Sequence, residues 1–166
     1  MVKAALQGIP VFDHLTMDQI EEVSTWLQRR EYTLGDPIIN EGDPPDGLYV
    51  LARGDAQVVK STAAGPLVVA ELEAPSVFGE LGLLNAEEAR SAGVRAKSNV
   101  IAGFLPRDLF AEKLDRDNLV ALRIGVNLGR IASQRVRATT KRLAELSEDV
   151  SQHALHAVAY GITGRK

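Results

Sequence analysis

The sequence predicts an α+β fold, mainly β, in which a β-roll or jelly roll is flanked by an N-terminal helix and a long C-terminal helix. Three observations predict it. From Glu31 to Leu105, short apolar runs alternate with Gly, Pro and Asp turn signals at close, regular spacing, the pattern of an all-β sandwich or roll. No helix-length segment interrupts that stretch, which disfavours a parallel α/β sheet. Before it, and from Pro106 onward, apolar residues recur at helical spacing.

The first element is a helix predicted over residues 16–30. Thr16 is a good N-cap, and Gln19 three residues on completes a capping box. Leu15 and Ile20 take the staple positions around that cap. Ile20, Val23 and Leu27 share one face, and Trp26, the only Trp, borders it as a core residue.

Strands are predicted at 38–39, 48–52, 56–59, 67–72, 92–97 and 100–105. The turns between them carry the expected residues: Leu34 to Pro37, Glu41 to Gly47, Arg53-Gly54-Asp55 and Ala63 to Pro66. Pro106 then suits the first turn of a short helix, with Leu109, Phe110 and Leu114 inward. Asp115 and Asp117 read as caps of a long helix.

In that helix Leu119, Leu122, Val126, Gly129, Ser133, Val136, Thr140, Leu143 and Val150 recur at heptad-like steps. About thirty residues of helix measure on the order of 45 Å, enough to overhang a small β domain and pack on another chain. Gly125 and Gly129 cost about 1 kcal/mol each relative to alanine. Close approach of a second helix, or of the β domain, would offset this. The membrane form of Gly-x-x-x-Gly does not apply, because charges flank the pair. The chain thus divides into a roll with its short helices, 10–115, and a helical stalk and tail, 116–160.

Size and composition agree. The 166 residues suit one domain plus an appendage, with 45% hydrophobic and 25% charged residues. A net charge of −3 gives no overall pull toward nucleic acid. Cysteine is absent, so disulfides, iron–sulfur clusters and thiol nucleophiles are excluded. No apolar run approaches membrane-spanning length, and residues 1–12 lack the features of a signal peptide. A cytoplasmic protein is the expectation.

The stretch from Phe78 to Lys97 carries the chemistry. Gly79 lets the backbone turn sharply or approach a ligand. Leu81 to Leu84 make about one helical turn, whose free N–H groups favour an anion beside Gly79. Glu80 suits a sugar hydroxyl as its acceptor. Arg90 can neutralise a phosphate with a forked contact. Ser91 and Ala92 are small enough for their N–H groups to reach phosphate oxygens. Together these describe a site for a small nucleotide monophosphate.

The run Phe-Gly-Glu-Leu-Gly-Leu-Leu, followed after five residues by Arg-Ser-Ala-x-Val-Arg-Ala, resembles the phosphate-binding cassette of cyclic-nucleotide-binding domains. The upstream Asn-Glu-Gly-Asp…Gly-Leu-Tyr-Val-Leu-x-x-Gly and the order of helix, β-roll, short helix and long helix resemble that family too, over about residues 10–145. The ten-residue step from Glu80 to Arg90 is similar to the bacterial catabolite-activator branch; Ala89 stands where kinase regulatory subunits have proline. The resemblance implies that Glu80 binds the ribose 2′-hydroxyl and Arg90 the cyclic phosphate. The backbone of Gly79, Ser91 and Ala92 would complete the phosphate site, with Leu81 also among the ligand-binding residues. Serine at 91 tilts the ligand toward cyclic AMP over cyclic GMP. Arg135 and Val136 align with base-contacting positions but depart from the usual polar pair; Arg135 is suited instead to stacking on the purine.

Plainer roles stand beside these. Arg90 can pair with Glu87 or Glu88 at the surface, and Glu80 can serve the helix start. Arg130, Arg135, Arg137, Lys141 and Arg142 form a basic stretch, but acidic residues follow and aromatics are absent, so a solvated face is expected rather than a DNA contact. Too few residues follow for the helix-turn-helix of the catabolite-activator branch. His153 and His156 are three apart, without a nearby cysteine to build a metal site, and no nucleophile–base pair suggests an enzyme. The expectation is a cyclic-nucleotide-binding regulatory protein without further cofactor or metal. It would dimerise through the long helix and act on a separate effector, with no DNA or membrane as partner. The alternative is an assembly protein of the same fold that uses the long helix for protein contacts, the nucleotide being incidental.

Overall fold

Among the described residues, eight strands form two four-stranded antiparallel sheets. The first contains, in order, β1 (Gln28–Tyr32), β8 (Val100–Pro106), β3 (Gly47–Arg53) and β6 (Ser76–Phe78). The second contains β2 (Pro37–Ile39), β7 (Gly93–Ala96), β4 (Asp55–Thr62) and β5 (Gly65–Glu73). Helices are α1 (Met17–Trp26), α2 (Leu81–Leu84), α3 (Arg107–Asp115) and α4, residues 119–134. This computed structural model describes residues 5–85, 87–134, 136, 137, 140, 141, 144 and 145. The chain divides into two units, 1–128 and 129–166; all described residues of the second are helical.

The two sheets close on one apolar core. The second sheet supplies Ile38, Ile39, Ala56, Val94 and Ala96, and the first supplies Tyr49, Leu51, Phe78, Val100, Ala102 and Phe104. Strand periodicity explains most of the selection, alternate residues facing the interior; adjacent Ile38 and Ile39 both enter the core where the register of β2 shifts. On β3 the intervening Leu48 and Val50 are buried as well. They face the other side of the sheet, so β3 is buried on both faces as a central strand with helices over one of them. That second layer holds Val11, Phe12, Ile20, Val23, Trp26, Phe110, Val120, Ala121, Ile124 and Leu128, all buried.

The predicted capping box is present: Gln19 N–H donates to Thr16 Oγ1 (3.3 Å) and Thr16 N–H to Gln19 Oε1 (3.0 Å). Trp26 is a core residue, as expected. The helix, however, ends at Trp26 and not at Arg30. Leu27 is extended, and Gln28 to Tyr32 pair residue by residue with Phe104 to Val100. Long-range pairing overrides the helix propensity of Gln28, Arg29 and Arg30. The strand β6 is likewise not evident in the local pattern.

Two boundaries differ further along. Pro106 is the last residue of β8 and the N-cap of α3, one position earlier than the expected first-turn role. The cap of α4 is Asn118, in place of Asp115 or Asp117. Its Oδ1 accepts from Val120 and Ala121 N–H, both at 3.0 Å. Asp117 has φ 55° and reverses the chain just before it. Beyond Asn118, α4 docks on the N-terminal segment: Asn118 donates to Glu22 (2.8 Å), Arg123 to His14 O (3.0 Å), and buried Asn127 to Val11 O and Asp13 O.

Candidate functional site

The aromatic interior fixes where the site begins. The ring of Phe78 stacks on Tyr49 with centroids 5.1 Å apart, which anchors β6 at its last residue. Gly79 follows at φ 72°, a conformation only glycine adopts cheaply. The chain then winds once as α2, which packs against β3 and α3.

Arg90 lies beneath this turn and is only 8% exposed. Its Nη1 donates to Gly79 O (2.9 Å), while Nη2 donates to Gly47 O (2.7 Å) and to Asp46 Oδ1 (2.5 Å). Glycines make the room. A Cβ on Gly82 would stand 2.6 Å from Nη1, and one on Gly79 2.9 Å. The backbone of Arg90 is held too: its N–H donates to Asp43 O (2.8 Å) and its C=O accepts from Gly42 N–H (2.9 Å). Arg90 therefore does not pair with Glu87 or Glu88; its anionic partner is Asp46, in the turn before β3.

A buried guanidinium needs an anion or several acceptors, and Asp46 supplies the anion. The Asp46 side chain is itself half-exposed. Its Oδ2 accepts from Tyr49 Oη (3.1 Å), and that hydroxyl accepts from Arg30 Nη1 (3.1 Å). The Arg30 guanidinium lies 3.7 Å from the Phe104 ring centroid, a cation–π contact. Burial, and then the neighbouring Asp46 charge, push the Tyr49 phenol upward, so it stays a neutral link in this chain. Beside Arg90 opens a cavity of about 300 Å³, walled by Ile38, Ile39, Pro44 and Tyr49 and rimmed by Asp43 and Asp46.

Of the other predicted residues, Glu80 and Leu81 stand in this turn, and Ser91 and Ala92 directly follow Arg90. Glu80 is the N-cap residue of α2, is 5% exposed and makes no side-chain capping hydrogen bond to that helix. Leu81 is exposed, Ser91 exposed and Ala92 half-buried. Of the two base-contact positions, Arg135 lies outside the described residues, and Val136 is 65% exposed. The heptad positions Leu143 and Val150, and His153 and His156, also lie outside them.

A second cluster braces the cassette from β4. Lys60 Nζ donates to Glu41 Oε1 (2.5 Å) and to Ser91 O (2.6 Å), and Ser61 N–H donates to Glu41 Oε2 (2.7 Å). The hydrogen bond from Lys60, with that from Ser61, holds the Glu41 carboxyl down at about 2. Sequence reasoning missed Asp46, Gly82, Lys60 and Glu41. Only Gly82 had a local signal, its place inside the apolar turn.

The model of the cyclic nucleotide-binding domain family matches residues 29–117. The chain belongs to this family. Among relatives of this cyclic nucleotide-binding domain, the cAMP-dependent protein kinase regulatory subunit of Aspergillus niger is 34% identical over 114 residues, covering 69% of this chain and 27% of that protein. The cyclic AMP receptor protein of Thermus thermophilus is 28% identical over 158 residues, 95% of this chain and 69% of that one. The catabolite activator protein structure from the same organism superposes with a TM-score of 0.75 at 27% identity, covering 83% of this chain and 63% of the other. The cAMP-bound regulatory domain of Toxoplasma gondii PKA superposes with a TM-score of 0.61 at 26% identity, covering 67% and 42%. The chain spans about a quarter or less of the length of the kinase regulatory subunits it matches. It is a cyclic nucleotide-binding regulatory domain on an antiparallel β-roll, and among the described residues no helix is long and apolar enough to cross a membrane.

Proposed function

We propose that this domain binds cyclic AMP, in preference to cyclic GMP, and transmits its occupancy through α4 to an effector on another chain. One observation carries the reading: Arg90 is a buried cation paired with Asp46, a carboxylate that is half-exposed and beside a cavity. A cyclic phosphate can take the place of that carboxylate without leaving the guanidinium unpaired. Glu80 accepts the ribose 2′-hydroxyl, and the N–H groups of Gly79, Ser91 and Ala92 complete the phosphate cradle. Kinase regulatory subunits and a catabolite activator among the relatives support cyclic AMP as the ligand. The domain is a regulator and not an enzyme, and a cytoplasmic location suits a receptor for a soluble nucleotide.

Ligand binding acts as a population shift, bounded by the difference in its affinity for the two arrangements of the helices. The output surface is the outer stripe of α4, where Leu119, Leu122 and Val126 are 57%, 43% and 56% exposed. Within the chain nothing described lies within 4 Å of a Cβ built on Gly125, so its absence leaves room for a second helix. This supports a homodimer formed through α4.

Titration calorimetry with cyclic AMP and cyclic GMP tests the reading. Saturable heat with cyclic AMP is expected, and loss of about 2–5 kcal/mol in Arg90→Ala, which strands the phosphate. Absence of heat and of thermal shift with either nucleotide at millimolar concentration sinks it. The exposed α4 stripe also suits the alternative, an assembly protein in which nucleotide is incidental. Removing residues 147–166 separates the two: partner binding lost with nucleotide affinity intact favours the assembly role.

A further inference from the structure

We propose that Lys60 is a positioning residue for anion binding, holding the Ser91 carbonyl so that the Ala92 N–H is aimed and strengthened as a phosphate donor. The inference rests on the nucleotide reading above, and its basis is the cluster on β4. Lys60 Nζ stands 2.6 Å from Ser91 O and 2.5 Å from Glu41 Oε1. Glu41 is tied in turn to the Ser61 N–H at 2.7 Å. The next residues of the same turn, Gly42 and Asp43, bond the backbone of Arg90 on both sides. Lys60 thus joins β4, the turn before β3 and the cassette at one point.

The Ser91 oxygen and the Ala92 N–H belong to one peptide unit. That unit is planar and trans, so its C=O and N–H point in opposite directions. Fixing the oxygen toward Lys60 fixes the N–H away from it. An ammonium on the oxygen also withdraws electron density across the amide, which makes the N–H a better donor. Because Glu41 neutralises Lys60, the effect is local to this peptide and does not attract anions at long range. An exposed pair of this kind contributes little to folding stability, so its effect on binding is separable from any effect on the fold.

The test uses the full chain as wild type, K60M and K60R. It measures cyclic AMP affinity by calorimetry, the Ala92 amide shift by NMR in the ligand-free protein, and the thermal midpoint. K60M is expected to bind about tenfold more weakly, in the range of one charge-assisted hydrogen bond. Its Ala92 amide proton moves upfield, its thermal midpoint stays at the wild-type value, and K60R restores both affinity and shift. Equal affinity of K60M and wild type, or an unmoved Ala92 amide, overturns the role. A weaker K60M with a matching drop in thermal midpoint, or without recovery in K60R, also overturns it and makes Lys60 a structural tie. If the wild type binds neither nucleotide, the nucleotide reading falls, and the amide shift alone then decides whether Lys60 holds this peptide.

Discussion

Asp46 Oδ1 accepts a hydrogen bond from Arg90 Nη2 at 2.5 Å, although the two residues are 44 positions apart and only Arg90 belongs to the cassette. The carboxylate therefore occupies the guanidinium edge that the proposed cyclic phosphate would take. Asp46→Ala leaves Arg90 buried on the Gly79 and Gly47 carbonyls without this carboxylate. We expect it to destabilise the ligand-free protein by about 1–2 kcal/mol, below the cost of breaking a fully buried pair, because Asp46 is half-exposed. Saturating cyclic AMP should restore most of that, because phosphate replaces the lost charge. The nucleotide-induced rise in thermal midpoint should then be larger in Asp46→Ala than in wild type. A smaller rise would mean that Asp46 orients Arg90 for the ligand and does not compete with it.

Gly82 sets the roof over the same guanidinium. A Cβ there would lie 2.6 Å from Arg90 Nη1 and 3.1 Å from Pro45 Cβ. Arg90 cannot yield freely, because three acceptors hold its tip. Gly82→Ala should break the bond to Gly79 O and weaken cyclic AMP binding by about 1–2 kcal/mol, the worth of one hydrogen bond to a charged group. Calorimetry on Gly82→Ala reads the loss directly, and unchanged affinity would show that the guanidinium has a second productive position.

What the sequence shows of this molecule follows the range of each interaction. The capping box of Thr16 and Gln19, the strands between turn signals and the single helical turn Leu81–Leu84 are local patterns, so they are legible. The strand β1 is not. Gln28, Arg29 and Arg30 are good helix formers, and only their pairing with β8, more than 70 positions away, makes them extended. Asn118 competes as a cap with Asp115 and Asp117, which are equally suited by residue type; the backbone reversal at Asp117 decides among them. Asp46 has a complete local explanation as a turn residue, which hides its contact with Arg90. Lys60 is hidden in the same way, as an ordinary polar residue on an exposed hairpin.

Gly125 distinguishes a helix that faces solvent from one that faces another helix. Nothing described lies within 4 Å of a Cβ built there, so Gly125→Ala should stabilise the isolated protomer by about 0.5–1 kcal/mol through helix propensity alone. If α4 packs closely on a second copy, the same methyl group would push the helices apart. Dimer dissociation measured by sedimentation should then shift to higher protein concentration while the protomer melts later. Stabilisation with no change in association would place the interface away from this glycine.

Asn127 ties α4 to the start of the chain. It is 5% exposed, and its Nδ2 donates to Val11 O (3.1 Å) and Asp13 O (2.9 Å). Asn127→Ala leaves both carbonyls without this donor, at a cost of about 1–3 kcal/mol in chemical denaturation. Asn127→Leu should be no better, because a buried apolar group cannot satisfy either carbonyl. A leucine variant as stable as wild type would show that water replaces the amide.

The Glu41–Lys60 pair gives the cassette a defined acid limit. Its hydrogen bonds to Lys60 and to the Ser61 N–H hold the Glu41 carboxyl at about 2, below the ordinary glutamate value of 4.5. The unfolded chain therefore takes up this proton first as the pH falls. What the pair contributes to stability, small for a pair this exposed to solvent, is complete above pH 4.5 and is lost as the pH drops through about 2. Following the Glu41 carboxyl carbon by NMR should give a midpoint near 2 in wild type, moving back toward 4.5 in Lys60→Met. A Glu41 that titrates near 4.5 in the wild-type protein would mean that the ammonium does not hold it in solution, and the brace on Ser91 would fall with it.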